Sequence, residues 1–237
     1  MLGAWRTEMC ITRCARGQLI EAAYYLRKAN DLKLHLNKED IFAFGDSHVS
    51  FCFDGIPRCK THWMGPITMH RVGRDKLNVL DLRNWGVSNQ TAIVFIFGEI
   101  DARAHVGEQQ ARQNATIEEI TDTPSKNYIE TIRLNKENFP DIKFFVCSVL
   151  PPLTSLGSSE LPFSTPTRER VEIVKTINNK LKKLCSSGNI ETELIYLDIH
   201  QYFSDSSGLM IRELSDNVVH VNRDLSDIIE YEIEKFL

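Results

Sequence analysis

The chain has 237 residues, of which 42% are hydrophobic and 25% charged, a balance that suits a globular protein able to bury a full core. Its 28 basic and 32 acidic side chains leave a formal charge of -4 with no long run of either sign, which excludes an electrostatic case for nucleic acid or an anionic membrane surface as partner. Cys10, Cys14, Cys52, Cys59, Cys147 and Cys185 are scattered without CxxC spacing, so free thiols are expected rather than a disulfide frame or a zinc site.

Near the start, Arg6, Glu8, Arg13 and Arg16 interrupt any apolar run that a signal peptide or membrane span needs, and a cytoplasmic protein is expected. A helical extension is expected over residues 1–36. The stretch RGQLIEAAYYLRKANDLKLH places small alanines at helical spacing after an earlier short helix and resembles one tetratricopeptide-like hairpin. Such a hairpin cannot bury its own face, which implies docking on the following domain or the loss of upstream repeats, and it offers a docking element for a protein partner. The alternative is a plain helix packed on that domain.

An α/β domain is expected over 37–237. Apolar, β-branched and aromatic runs at 41–44, 92–97, 142–149 and 194–199 have strand length and little polar alternation, as strands covered on both faces should. A weaker strand over 76–82 completes a five-stranded, mainly parallel sheet. Helical spacing predicts helices over 125–138, 167–185 and 224–237. Strand and helix alternate, giving a flavodoxin-like three-layer sandwich.

The chemistry-bearing residues fall at strand ends and in one late loop. Gly45 ends the first apolar run and puts Asp46, Ser47 and His48 beyond its tip, where open α/β sheets bind ligands; the alternative is that Asp46 and Ser47 cap the next helix. After 92–97, Gly98 is followed by Glu99, Asp101, Arg103 and His105. Near the end, Asp216 and His220 share a short loop, the pairing a serine hydroxyl needs for activation.

The order of Gly45-Asp46-Ser47, the segment from Gly98 to Asp101, and the Asp216/His220 pair resembles the SGNH/GDSL hydrolases over about residues 38–237. The resemblance implies an ester hydrolase without metal or cofactor. In it Ser47 is the nucleophile and lends its backbone N–H to the oxyanion, His220 is the general base, and Asp216 orients it. Two departures stand out. The family acid usually lies three residues before the histidine, where this chain has Asn217, so the loop must bulge for Asp216 to serve. The family's oxyanion asparagine is replaced by Ile100, which donates nothing.

Arg103 or His105 then becomes the substitute donor; alternatively Glu99, Asp101 and Arg103 form a structural ion-pair network, with Asp101 matching the family's structural aspartate. The second backbone donor is sought at Gly65 or Gly73, near Arg71 and Arg74, which are expected either to hold a carboxylate, phosphate or sugar hydroxyls of a substrate or to pair with acids such as Asp75 or Asp81. The expected activity is hydrolysis of a small O-acyl ester, with a carbohydrate O-acetyl group as the expected substrate. An acyltransferase on the same triad and a catalytically silent binding module are the alternatives.

Overall fold

The computed structural model describes residues 40–88, 90–154, 165–187 and 193–237. The helical extension expected at 1–36, with Cys10 and Cys14, lies outside the described residues. Of the strands, β1 (Ile41–Gly45), β3 (Ala92–Ile96), β4 (Lys143–Cys147) and β5 (Ile195–Leu197) coincide with the four strong apolar runs. All residues of β1 and β3 are buried, as the central strands of a sheet with helices on both faces must be. The strands are parallel and ordered β2-β1-β3-β4-β5, with β2 spanning Cys59–Trp63. The chain leaves β1 toward β2 on one side and returns to β3 on the other. That reversal opens a crevice at the carboxyl ends of β1 and β3.

The fifth strand is therefore Cys59–Trp63 and not 76–82. As an edge strand β2 is only half covered, and its polar sequence CKTHW lacks the apolar run that marks a central strand. Residues 76–82 turn instead. Lys76 takes a left-handed φ of 49°, and a 3-10 turn follows at Lys76–Asn78. The strip beyond it is held by one buried amide: Asn135 accepts from Leu82 N at 2.9 Å and donates to Leu80 O at 2.8 Å. One side chain thus supplies the backbone partners that a neighbouring strand would give.

The helices are α1 (Ser47–Phe53), α2 (Met69–Asp75), α3 (Val106–Gln113), α4 (Ile117–Lys136), α5 (Thr167–Cys185), α6 (His200–Phe203) and α7 (Ser226–Glu234). Helix α5 has the predicted bounds. Helix α4 starts eight residues before the predicted 125, because Thr116 and Glu119 form a reciprocal capping box and Pro124 is accommodated inside the helix. The last helix is preceded by a 3-10 turn at Arg223–Leu225.

Side chains alternate across the sheet. Phe42, Phe44, Ile93, Phe95, Phe144 and Val146 join Val72 of α2, Tyr128 and Ile132 of α4, and Val174 and Ile177 of α5 in one apolar cluster. Helices α1 and α7 pack together, and Phe145 meets Phe236 edge-on at 5.8 Å. Each buried phenylalanine of the sheet contributes roughly 1.5–3 kcal/mol of transfer free energy, which fixes the strand ends that carry the site. Gly45 is required at the tip of β1. A Cβ there would lie 2.4 Å from Ile96 O, so only glycine lets β1 turn while still pressed against β3.

Among the described residues no helix is long and apolar enough to cross a membrane. Cys52, Cys59, Cys147 and Cys185 are free thiols. Burial pushes the thiols of all four up, away from the reactive thiolate form.

Candidate active site

The turn after β1 does two jobs at once. Asp46 is the N-cap of α1, accepting from His48 N at 2.9 Å, and this places Ser47 on the first turn of the helix. The cap reading and the exposed-serine reading of the motif are compatible. Ser47 N–H is among the first N–H groups of α1, which have no partner within the helix.

His220 arrives from a tight loop whose ends are tied by an isolated antiparallel bridge between Ser215 and Val221. Asp216 N donates to His220 O at 2.9 Å. Asn217 between them takes a left-handed φ of 63°, a conformation that asparagine adopts more readily than most residues. This bulge absorbs the extra residue of the Asp-to-His spacing. The Asn217 side chain accepts from Arg212 Nε at 3.2 Å, while Asp216 Oδ2 meets His220 Nδ1 at 2.8 Å.

The other Asp216 oxygen accepts from the backbone N–H groups of Val218, Val219 and His220 at 2.7, 3.0 and 3.0 Å. Partial burial works against the Asp216 anion, but the His220 and backbone donors outweigh it and hold the carboxyl below its ordinary range. An ionised carboxylate only accepts, so the His220 proton sits on Nδ1. Nε2 is left to accept from Ser47 Oγ, which lies 2.8 Å away. Desolvation and then the nearby His48 lower the His220 pKa below 6.5, which keeps the ring neutral at pH 7. Phe51 stacks on it at 3.8 Å with an interplanar angle of 4° and fixes its plane.

His48 follows Ser47 on the first turn of α1. It is 2% exposed, with Nδ1 on Asp46 Oδ1 at 3.1 Å and Nε2 on Val219 O at 3.2 Å. Both partners only accept, so both ring nitrogens donate and the ring is an imidazolium. Its pKa is raised: burial opposes the charge, but the Asp46 carboxylate overcomes it. The ring also holds the loop of His220 through the Val219 carbonyl.

Beyond β3, the other sequence-derived residues are arranged differently. Ile100 leads into a single π-helical turn, Asp101–His105, an uncommon geometry that recurs at functional sites. Asp101 is buried and accepts from Met69 N at 2.6 Å and His70 N at 3.1 Å, pinning the start of α2. Burial raises its pKa to about 6 despite those two donors. Arg103 donates from Nε to Glu99 at 2.8 Å, the structural ion pair that the sequence reading weighed against a role as oxyanion donor. His105 stacks on His70 at 4.7 Å.

Gly73 sits inside α2 with its Cα against Asn127 and Tyr128 of α4. A Cβ there would be 2.8 Å from Tyr128 N, so it serves helix packing. Gly65 has a φ of 85° and open space around it. It follows Met64, whose N–H donates to Gly45 O at 2.9 Å, so the Gly65 turn stands beside the tip of β1. Arg74 is exposed and held by Asp75 through two hydrogen bonds of 2.7 and 2.9 Å, and Arg71 approaches the same acid at 3.6 Å. The structure therefore brings together Ser47, His220 and Asp216, with Gly65 beside β1 and Glu99 and Arg103 at the end of β3. It directs Gly73, Arg71 and Arg74 to packing and local pairing. Among the described residues no three of His, Cys, Asp and Glu stand close enough to hold a metal ion.

No protein-family model and no curated protein matches the chain. Solved structures do. A Streptococcus pneumoniae protein described as a platelet activating factor aligns at a TM-score of 0.57 and 12% identity, over 96% of this chain and 98% of its own. A GDSL-like lipase of Bacteroides thetaiotaomicron aligns at 0.56 and 14%, over 89% and 95%. The fold is that of the SGNH/GDSL hydrolases.

Proposed function

We propose that the protein is a serine ester hydrolase acting on a small O-acyl ester, with a carbohydrate acetyl ester as the substrate class. The observation that carries this reading is the unbroken relay of two 2.8 Å contacts, Ser47 Oγ to His220 Nε2 and His220 Nδ1 to Asp216 Oδ2. Ser47 Oγ attacks the ester carbonyl as its proton passes to Nε2, and Asp216 stabilises the imidazolium that forms. The same ring then protonates the departing alkoxide. Water, deprotonated by His220 in the second half-reaction, releases the acid from the acyl-serine.

The oxyanion is met by Ser47 N–H and by the Gly65 N–H, the backbone donor offered by the turn beside β1. With Ile100 in place of a donor, two contacts do what the family does with three, and loss of one donor typically costs roughly 10²–10³ in rate. For the alcohol half, the supporting feature is Trp63. It pairs in register with Gly45 at the carboxyl end of β2 and is 63% exposed, a flat amphipathic surface suited to a sugar ring. The test is release of p-nitrophenol from p-nitrophenyl acetate by the purified chain and by Ser47→Ala. Turnover that vanishes with Ser47 is the expected result; equal rates in the two proteins overturn the nucleophile assignment.

A further inference from the structure

Next to the triad lies a small pocket whose walls include Glu99, Arg103, Leu153, Arg170, Val174 and Val219. Val219 belongs to the His220 loop, and the Glu99 charge acts on both His48 and His220, so this pocket adjoins the reacting centre. Its polar lining is two guanidiniums and one carboxylate. Arg103 is 14% exposed and bonded to Glu99.

Arg170 lies deeper. It is 4% exposed, and among the described residues its hydrogen-bond partners are neutral oxygens and not carboxylates. Its Nη2 donates to Leu153 O and Thr167 Oγ1, both at 3.0 Å, and its Nε is buried without a partner. A buried cation with an unpaired N–H is costly, because desolvation is not repaid. Desolvation lowers the Arg170 pKa, and Arg103 adds to that effect against the attraction of Glu99. Among the described residues that line the pocket, two guanidiniums thus stand against the one carboxylate of Glu99, which is bonded to Arg103.

We infer that this pocket is a subsite for a carboxylate on the substrate, gripped by the Arg170 and Arg103 guanidiniums, so that the preferred ester carries an acid group close to its scissile bond. The inference rests on the ester-hydrolase reading for its catalytic consequence, and on the pocket alone for binding. A carboxylate accepts from planar guanidinium N–H groups with matched geometry, which an ammonium does not offer. The acid supplies a second negative charge and an acceptor in one group. This makes the arginine that the apolar pattern of α5 would reject a specificity-determining residue.

The experiment compares two esters, 4-carboxyphenyl acetate and its uncharged 4-carbamoylphenyl counterpart, and two non-reacting ligands, glutarate and glutaramide. In the parent, kcat/KM for the charged ester is expected to exceed that for the neutral one by about tenfold or more, the size of a hydrogen bond to a charged group. Arg170→Gln should erase that ratio mainly through KM, and Arg170→Lys should restore only part of it. Glutarate should raise the Tm of the parent and glutaramide should not.

Equal kcat/KM for the two esters in the parent overturns the proposal, as does an equal fall on both esters in Arg170→Gln. If Arg170→Gln does not fold, Arg103→Gln and the parent's own ester ratio carry the test. If neither ester is hydrolysed, the hydrolase reading fails separately. The subsite then stands if glutarate alone raises the Tm, and falls if neither ligand does.

Discussion

Two histidines in this site face an aspartate and end up in opposite states. His48 meets Asp46 at 3.1 Å and its pKa is raised, whereas His220 meets Asp216 at 2.8 Å and its pKa is lowered. The balance against burial differs: at His48 the Asp46 carboxylate outweighs it, whereas at His220 burial and the His48 charge outweigh Asp216. Val219 O can only accept, so it demands a proton from His48, while the Ser47 hydroxyl can give one and leaves His220 neutral. The rings are 4.8 Å apart, and the charge of the first keeps the second ready to act as a base. An aspartate–histidine pair is therefore a structural clamp or a proton relay according to what its far nitrogen touches.

The sharpest test of that contrast removes the relay. Ser47→Ala and His220→Ala should each lower kcat by about 10⁶-fold with an unchanged Tm, measured on p-nitrophenyl acetate beside a thermal melt. Asp216→Asn should cost about 10⁴-fold, since the wrong tautomer is then favoured, and residual turnover should remain detectable. In the clamp the same kind of change strikes the fold instead. Asp46→Ala leaves the His48 cation buried and unpaired and should lower unfolding free energy by about 3 kcal/mol in a urea titration.

A smaller effect links the two pairs through pH. Activity needs neutral His220, whose pKa lies below 6.5, so kcat/KM should rise with pH through an inflection below that value and be level at pH 7. His48→Gln removes the cation that disfavours protonation of His220, so its inflection should move to higher pH. An unmoved profile would show that the two rings are not coupled. The smallest change expected is Asn217→Gly. Its side chain faces Arg212 and glycine takes the positive φ freely, so kcat should stay within about twofold.

The sequence made the central strands legible because burial on both faces leaves no polar residues in them. The edge strand Cys59–Trp63 escaped notice for the converse reason: half its side chains meet water, and its pairing with β1 is a long-range fact that no local pattern carries. Ser47, Asp216 and His220 were readable from motif order. The bulge at Asn217 was inferred as a requirement, though the residue's own positive φ supplies it. His48 and Arg170 were missed as partners. For Arg170 there was a signal, since it stands on the stripe of α5 shared by Ile173, Val174, Ile177 and Leu181, where an arginine is out of place unless something pairs with it. His48 gave no such signal, because its meaning depends on a carbonyl 171 residues away.

The contact between Ser47 and His220 also closes a loop of 173 residues. At about 5–20 residues per second of synthesis, the serine exists for roughly 10–35 s before the imidazole that activates it has been made. During that interval the strands can assemble in order outward from β1, while the hydroxyl remains an ordinary alcohol. Helix α7, which packs on the helix bearing Ser47, follows His220 by a few residues. On the proposed reading, the base is delivered by the same segment that seals the serine's own helix, and hydrolytic power would appear only late in the folding of the α/β unit.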